Sequence, residues 1–302
     1  IADGLLSGTP AGAKVDQILG TYTLEDAAKW PDCVRSVHKE ADGTFKFVPD
    51  KYTAACTKFE TPSEEARMAD YAARNWDTFP YRVGHGDHEA YHFADIPIED
   101  KAYADDEVGA NDHDVVHAIN AAVAKLKGEP VPVPFSIKDY KEAILMLAHF
   151  VGDLHQPLHV GAIYLDANGH RINPKTQAMA DKDSTAGGNF IKVDASKELH
   201  AEWDAISNTF GKNFSSLVLL AHNVPIDQSM PIDKWAAAWA TESVQDAAVA
   251  YQGVTFTPAG DHEWKAVFAN RSKYLAAERS IKKRRIVQAG ARLAAILEAI
   301  FS

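Results

Sequence analysis

His149 and Asp153 stand four residues apart in the segment His149-Phe150-Val151-Gly152-Asp153-Leu154-His155-Gln156-Pro157-Leu158-His159. On a helix that spacing puts an imidazole and a carboxylate on one face. The preceding run, Ala143-Ile144-Leu145-Met146-Leu147-Ala148, is apolar and reads as a core helix that must end before Pro157. A carboxylate in such a place carries a large desolvation cost unless it is paired or holds a metal ion. The same spacing returns at His200 and Asp204, flanked by Leu199 and Trp203. With His159 just past the first helix, the chain offers nitrogen and oxygen donors of the kind zinc takes. One such pair alone is more simply a hydrogen bond in a core. Repetition favours metal.

Two earlier segments add groups of the same kind. Tyr91-His92-Phe93-Ala94-Asp95 supplies His92 and Asp95, and Trp30-Pro31-Asp32-Cys33-Val34-Arg35 supplies Asp32 and Arg35. Four stations argue for a multinuclear site. Other histidines fall outside it. His85, His88 and His92 are spaced like a cluster of their own, but His85 and His88 read as loop residues. His155 lies six residues after His149, on another helix face, and suits a supporting role. His113 and His117 read as helix surface, and the six tryptophans as core.

Those donors have to be carried by a largely helical chain. Apolar periodicity predicts helices over 14–20, 63–76, 112–127, 137–156, 196–210, 231–251 and 261–301, the last as one piece or two. Asp112 is the expected N-cap of the third, and Glu64 and Glu65 place acids in the first turn of the second. Strand signals are few: 190–193, paired with 162–165 across a polar loop. The 129–134 stretch, Glu-Pro-Val-Pro-Val-Pro, reads as a stiff connector. The expected fold is all-α, a single mainly helical domain over 1–302 with a small β-hairpin.

Composition bounds the rest. The chain has 302 residues, 46% hydrophobic and 24% charged, which is ordinary for a soluble globular protein. No apolar run approaches membrane-spanning length, and the start shows no signal-peptide pattern, as a mature secreted chain also would not. Cys33 and Cys56 suit one disulfide and an oxidising compartment, with two free thiols as the alternative. The net charge of −11 argues against a nucleic-acid partner unless bound cations supply the positive field. The run Lys282-Lys283-Arg284-Arg285 is expected to be the solvated face of the last helix.

WPDCVR, YHFAD, HFVGDLHQPLH, GGNFIKV and LHAEWD occur in the order seen in zinc-dependent single-strand nucleases of the fungal and plant type, and the chain resembles that family over most of its length. The family shares its fold with bacterial zinc phospholipase C. GGNFIKV with LHAEWD resembles the nuclease branch more than the phospholipase branch. The resemblance implies one zinc held by Asp32, His92, His149 and Asp153. It implies a second held by His159, His200 and Asp204, with open positions for phosphate oxygens. A third ion would share Asp153 and be held otherwise by an N-terminal tryptophan and a nearby histidine. This chain begins Ile1-Ala2-Asp3-Gly4-Leu5-Leu6, which resembles the middle of the family's first helix. The expectation is that a preceding segment is missing from it and that two zinc sites remain in the chain as it stands.

The implied chemistry is hydrolysis of single-stranded RNA and DNA to 5′-phosphorylated products, with 3′-nucleotidase activity. Zinc brings the pKa of bound water to about 7, which makes a nucleophile at neutral pH. Asp95 resembles the carboxylate that orients or deprotonates that water, and Arg35 its partner; a structural ion pair is the plain alternative. Phe93 matches the position that stacks on the base beside the scissile bond, or else simply supports His92. Asn189 follows Gly187 and Gly188, which let backbone approach the site. The cysteine-rich segment of the fungal enzymes is replaced here by Asp105-Asp106-Glu107-Val108-Gly109-Ala110-Asn111-Asp112, so base preference does not transfer. Single-stranded nucleic acid and nucleotides are the expected partners of a secreted or periplasmic monomer, with no membrane. The competing readings are a zinc phospholipase C and a zinc-binding member inactive for want of the third site.

Overall fold

The computed structural model describes residues 1–49, 53–77, 86–206, 210 and 213–302. Helices dominate, with a few short strands, so the all-α expectation holds. The chain groups into two compact units: Ile1–His92 with Asp112–Gly152 and Gly290–Ser302, and Phe93–Asn111 with Asp153–Ala289. His85, singled out by its spacing, lies outside the described residues.

In the first unit the helices start where the local chemistry starts them. Thr9 accepts from Gly12 N ahead of Pro10–Leu19, and Thr61 accepts from Glu64 N ahead of Pro62–Arg74. In both, proline occupies the first helical position, where its missing N–H costs nothing. Val115–Leu126 is capped by Asp114, which accepts from Val116 N and His117 N. The expected cap, Asp112, instead bonds the ring of buried His113, which is thus not a surface residue. Asp114 wins because it stands directly before the first helical residue, where its carboxylate reaches two orphan N–H groups. Helix Tyr140–His155 carries the buried run Ala143–Leu147 through the unit's core. Its first turn holds Glu142, fully buried, whose two oxygens accept from Arg74 Nη2 at 2.8 and 2.9 Å. Pairing offsets only part of the desolvation cost, and burial still pushes the Glu142 carboxyl above its ordinary value. Cys33 and Cys56 are disulfide-bonded, tying the short helix Trp30–Val34 to Thr53–Cys56. A small antiparallel hairpin, Val37–Lys39 with Phe45–Phe47, was not expected.

The second unit departs further from expectation. The 261–301 stretch is not helical throughout: Glu263–Phe268 is a strand, and the helix is Arg271–Phe301. That strand pairs antiparallel with Val254–Gly260 and parallel with Ile191–Lys192. Burial alternates along it, with Trp264 and Ala266 inward and Lys265 and Val267 outward. That is the period of a half-buried strand. The predicted pairing of 190–193 with 162–165 fails, since Ile191 finds Trp264. Tyr164–Leu165 pairs instead with Arg171–Ile172, and Gly161–Ala162 with Ile96–Pro97. The 196–210 helix is shorter, Leu199–Asp204, ending where Ala205 turns extended. One apolar cluster, including Leu158, Leu199, Trp203, Tyr251, Phe256, Trp264 and Tyr274, lies between sheet and helices. All six tryptophans are buried, as expected. Among the described residues, no helix is long and apolar enough to cross a membrane.

Candidate metal centre

The first unit brings three donors together. Asp32 sits in the first turn of Trp30–Val34, His92 closes the 3-10 turn Asp87–His92, and His149 lies in helix Tyr140–His155. One ligand atom from each falls within 4.8 Å of the others. His149 Nε2 is 2.9 Å from His92 Nδ1 and 3.9 Å from Asp32 Oδ1. The other nitrogen of His149, Nδ1, is 2.6 Å from Ala28 O. A carbonyl only accepts, so Nδ1 carries the proton and Nε2 presents its lone pair to the group. Ala28 ends helix Leu24–Ala27, which a capping box between Thr23 and Asp26 holds in place. Phe150 packs edge-on against both imidazoles.

His88, one helical turn before His92, is excluded from the group. It is buried between the rings of Tyr71 and Trp76. Desolvation there, with His92 and Arg35 nearby, pushes its pKa down to about 3, so it is neutral. Arg35 leans toward the carboxylate one turn before it, Asp32 Oδ1, at 3.6 Å.

A second group lies in the second unit. His159 ends the turn Pro157–His159, and His200 and Asp204 lie one turn apart on Leu199–Asp204. Their ligand atoms again fall within 4.8 Å of one another. His200 Nε2 is 3.2 Å from His159 Nε2, and the two sit 3.6 and 3.5 Å from the Asp204 oxygens. His200 Nδ1 donates to Gly187 O at 2.9 Å, which fixes its tautomer by the device seen at His149. Gly187 has φ +57, and a Cβ there would meet Leu158 O at 2.4 Å and His200 Nδ1 at 3.2 Å. Only glycine lets this backbone come so close.

Electrostatics are tuned around this group. Burial would raise the Asp204 carboxyl, but His159, His200 and the Gln156 amide hold it down at about 2. Gln156 Nε2 donates to Asp204 Oδ1 at 2.8 Å while its own oxygen accepts from Leu158 N. Burial, and then His159, push His200 below its ordinary value, against the pull of Asp204. Asp153, expected with the first group, has Oδ2 3.9 Å from His159 Nδ1. Asp95, partly accessible yet surrounded by protein, is pushed up to about 6 by desolvation, with His159 opposing. Its backbone is fixed on both sides: Asp95 N donates to Gly109 O at 3.2 Å, and Tyr164 Oη donates to Asp95 O at 2.5 Å. Asn189 turns its amide onto Ala186 O at 2.8 Å and is exposed; Phe93 is half-buried. His155 packs its ring against Trp239.

Each group is thus two imidazoles and one carboxylate, with lone pairs turned inward on one another. Such facing acceptors repel unless a cation or a proton lies between them, and two nitrogens with one oxygen suit zinc with positions left open. The residues fit a divalent ion. Sequence reading missed what orients them. Ala28 and Gly187 act through backbone carbonyls, which no side-chain pattern signals. Gln156 stood inside the quoted motif, yet nothing in the spacing pointed it at Asp204.

Compared with known protein families, residues 1–302 match the family described as S1/P1 Nuclease. Among curated proteins, the chain is 31% identical over 170 residues to Endonuclease 4 of Arabidopsis thaliana, covering 53% of this chain and 51% of that protein. It is 29% identical over 180 residues to Endonuclease 2 of the same plant, covering 53% and 52%. The chain spans about half the length of the curated relatives it matches.

Proposed function

We propose, because the chain belongs to the S1/P1 nuclease family, that it is a zinc-dependent hydrolase of single-stranded RNA and DNA. Its products carry 5′-phosphates, and it also removes phosphate from 3′-nucleotides. The observation that carries this reading is the pair of His–His–Asp groups, each with one imidazole locked by a backbone carbonyl so that Nε2 faces inward. Asp32, His92 and His149 hold one zinc; His159, His200 and Asp204 hold another, with Asp153 as a further ligand. When bound, zinc supplies Lewis acidity to phosphate oxygens and acidifies water.

The chain's own groups do the rest. Asp95, with its carboxyl pushed up to about 6, is ionised at neutral pH yet basic enough to take a proton from the attacking water. Arg35 adds positive charge where the phosphorane develops negative charge. Phe93 offers a flat face to an unpaired base, which favours a splayed strand over a stacked duplex. Asn189, exposed after the Gly187-Gly188 turn, offers a polar group for the base. The Cys33–Cys56 disulfide supports an extracellular or periplasmic setting.

The test is direct. Purified protein reconstituted with zinc should bind two ions per chain by elemental analysis and release 5′-phosphorylated nucleotides from denatured DNA and from RNA. It should dephosphorylate 3′-AMP and release no phosphocholine from lecithin. Phosphocholine release without nucleotide release would replace this reading with a phospholipase. Metal-replete protein inert on every phosphate ester would overturn the enzyme reading altogether.

A further inference from the structure

The basic run Lys282-Lys283-Arg284-Arg285 divides by helical register. Lys283 and Arg284 face solvent, and Arg284 pairs with Asp246. Lys282 and Arg285, three residues apart and so on one helix face, turn inward; their side chains are 11% and 2% exposed. Burial of two cations at this depth demands partners, and the partners are helix ends.

Lys282 Nζ donates to Glu202 O at 2.5 Å and Ala205 O at 2.9 Å, and its charge is met by Glu278 Oε1. Those carbonyls close the short helix that carries His200 and Asp204. Arg285 Nε donates to His155 O at 3.2 Å. Its Nη2 donates to Ser243 Oγ, which passes its own proton to Leu154 O at 2.5 Å. Glu242 Oε2, 2.8 Å from Nη1, balances the charge. Leu154 and His155 are the last residues of helix Tyr140–His155, one residue past Asp153 and four before His159. Both cations therefore sit on carbonyls that a helix leaves unpaired and partly negative. Further along the same face, Tyr274 accepts from Trp203 Nε1 at 2.7 Å and Arg271 pairs with Glu202.

We propose that helix Arg271–Phe301 is a clamp for the second metal group, with Lys282 and Arg285 as its positioning residues. Adjacent rungs of one rigid helix hold the two segments that donate His159 on one side and His200 with Asp204 on the other. Each cation reaches the donor-bearing segment through backbone carbonyls. The inference rests on reading His159, His200 and Asp204 as a zinc site.

The experiment compares the full chain with Lys282→Met, Arg285→Met and Arg285→Lys, using Arg284→Met as the surface control. Zinc affinities are read by competition with a chelating dye. One of the two zinc sites should weaken about 10- to 100-fold in Lys282→Met and Arg285→Met, while the other and the control stay unchanged. Arg285→Lys should recover part of the loss, because it keeps charge on the His155 carbonyl but lacks the fork. Equal weakening of both sites, or of neither, would overturn the clamp. A second reading needs no metal: amide exchange at 199–204 should quicken at least tenfold in metal-free Lys282→Met, with 115–126 unaffected. Unchanged exchange there would equally sink the proposal. Wild-type protein that binds no zinc would sink the zinc reading instead, and the exchange result would still judge the clamp.

Discussion

The two donor groups have the same composition and different scaffolds. In the first, Asp32, His92 and His149 come from three distant stretches of chain and are backed by a disulfide, a packed aromatic ring and a capped helix end. In the second, two of three donors share one turn of a six-residue helix, and the support is a glutamine, a glycine carbonyl and two buried cations. One is held by covalent and apolar packing, the other by polar contacts to backbone. What they share is the carbonyl that fixes an imidazole tautomer. The lesson is that the donor set determines which ion can bind, while the scaffold determines what disturbs it.

Substitutions can break that comparison selectively. The largest effect is expected at Asp95, the proposed proton acceptor, which lies in the second unit. Asp95→Asn should lower kcat by about 10² to 10⁴ with zinc content intact, measured on a single-stranded oligonucleotide. In the zinc-loaded wild type, kcat/KM should fall on the acid side as this carboxyl protonates, at a pH that the bound cations draw below its metal-free value of about 6. The sign for stability is opposite to that of a paired carboxylate. Its folded pKa lies above the ordinary 3.8, so ionisation subtracts stability as pH rises from about 4 to about 6. Metal-free Asp95→Asn should therefore melt higher than wild type above pH 6 and no higher below pH 4.

Next in size is Gly187→Ala. The added methyl meets Leu158 O and crowds His200, at a φ that alanine resists. A loss of about 1–3 kcal/mol is expected in denaturant unfolding, together with weaker binding at the second zinc site only. Removing the disulfide should do the converse. The Cys33→Ser, Cys56→Ser double variant opens a loop with a sequence separation of 23, worth about 3 kcal/mol. Asp32 is the neighbour of Cys33, so the first zinc site should loosen while the second keeps its affinity. The smallest effect belongs to Gln156→Leu. It frees Asp204 from one of three partners and should cost about tenfold in affinity at the second site. Equal effects on both sites from either scaffold change would collapse the distinction between them.

How much of this was legible beforehand follows from where each signal resides. That Asp32, His92 and His149, and His159, His200 and Asp204, come together was legible because imidazoles and carboxylates recur in apolar settings along the chain. Helices Pro62–Arg74 and Val115–Leu126 were legible from periodicity, with ends set by proline and by an acidic cap that proved to be Asp114 rather than Asp112. The strand Glu263–Phe268 was not, because it is short and runs almost directly into a long helix, and its partners Ile191 and Phe256 lie elsewhere in the chain. Arg285 was misread as solvated for a related reason. Its residue type favours the surface, and the carbonyl, hydroxyl and carboxylate that make burial tolerable lie far away in sequence. Local chemistry reads well from sequence, while anything supplied by backbone from a distance does not.

Gly109 sits in the acidic stretch 105–112, with φ +89, and a methyl there would lie 2.2 Å from Asp95 O. Its carbonyl receives Asp95 N, and its own N–H reaches Gln177 Oε1 at 3.4 Å. Exchanging this stretch for another would therefore shift the Asp95 backbone unless glycine is kept at that one point.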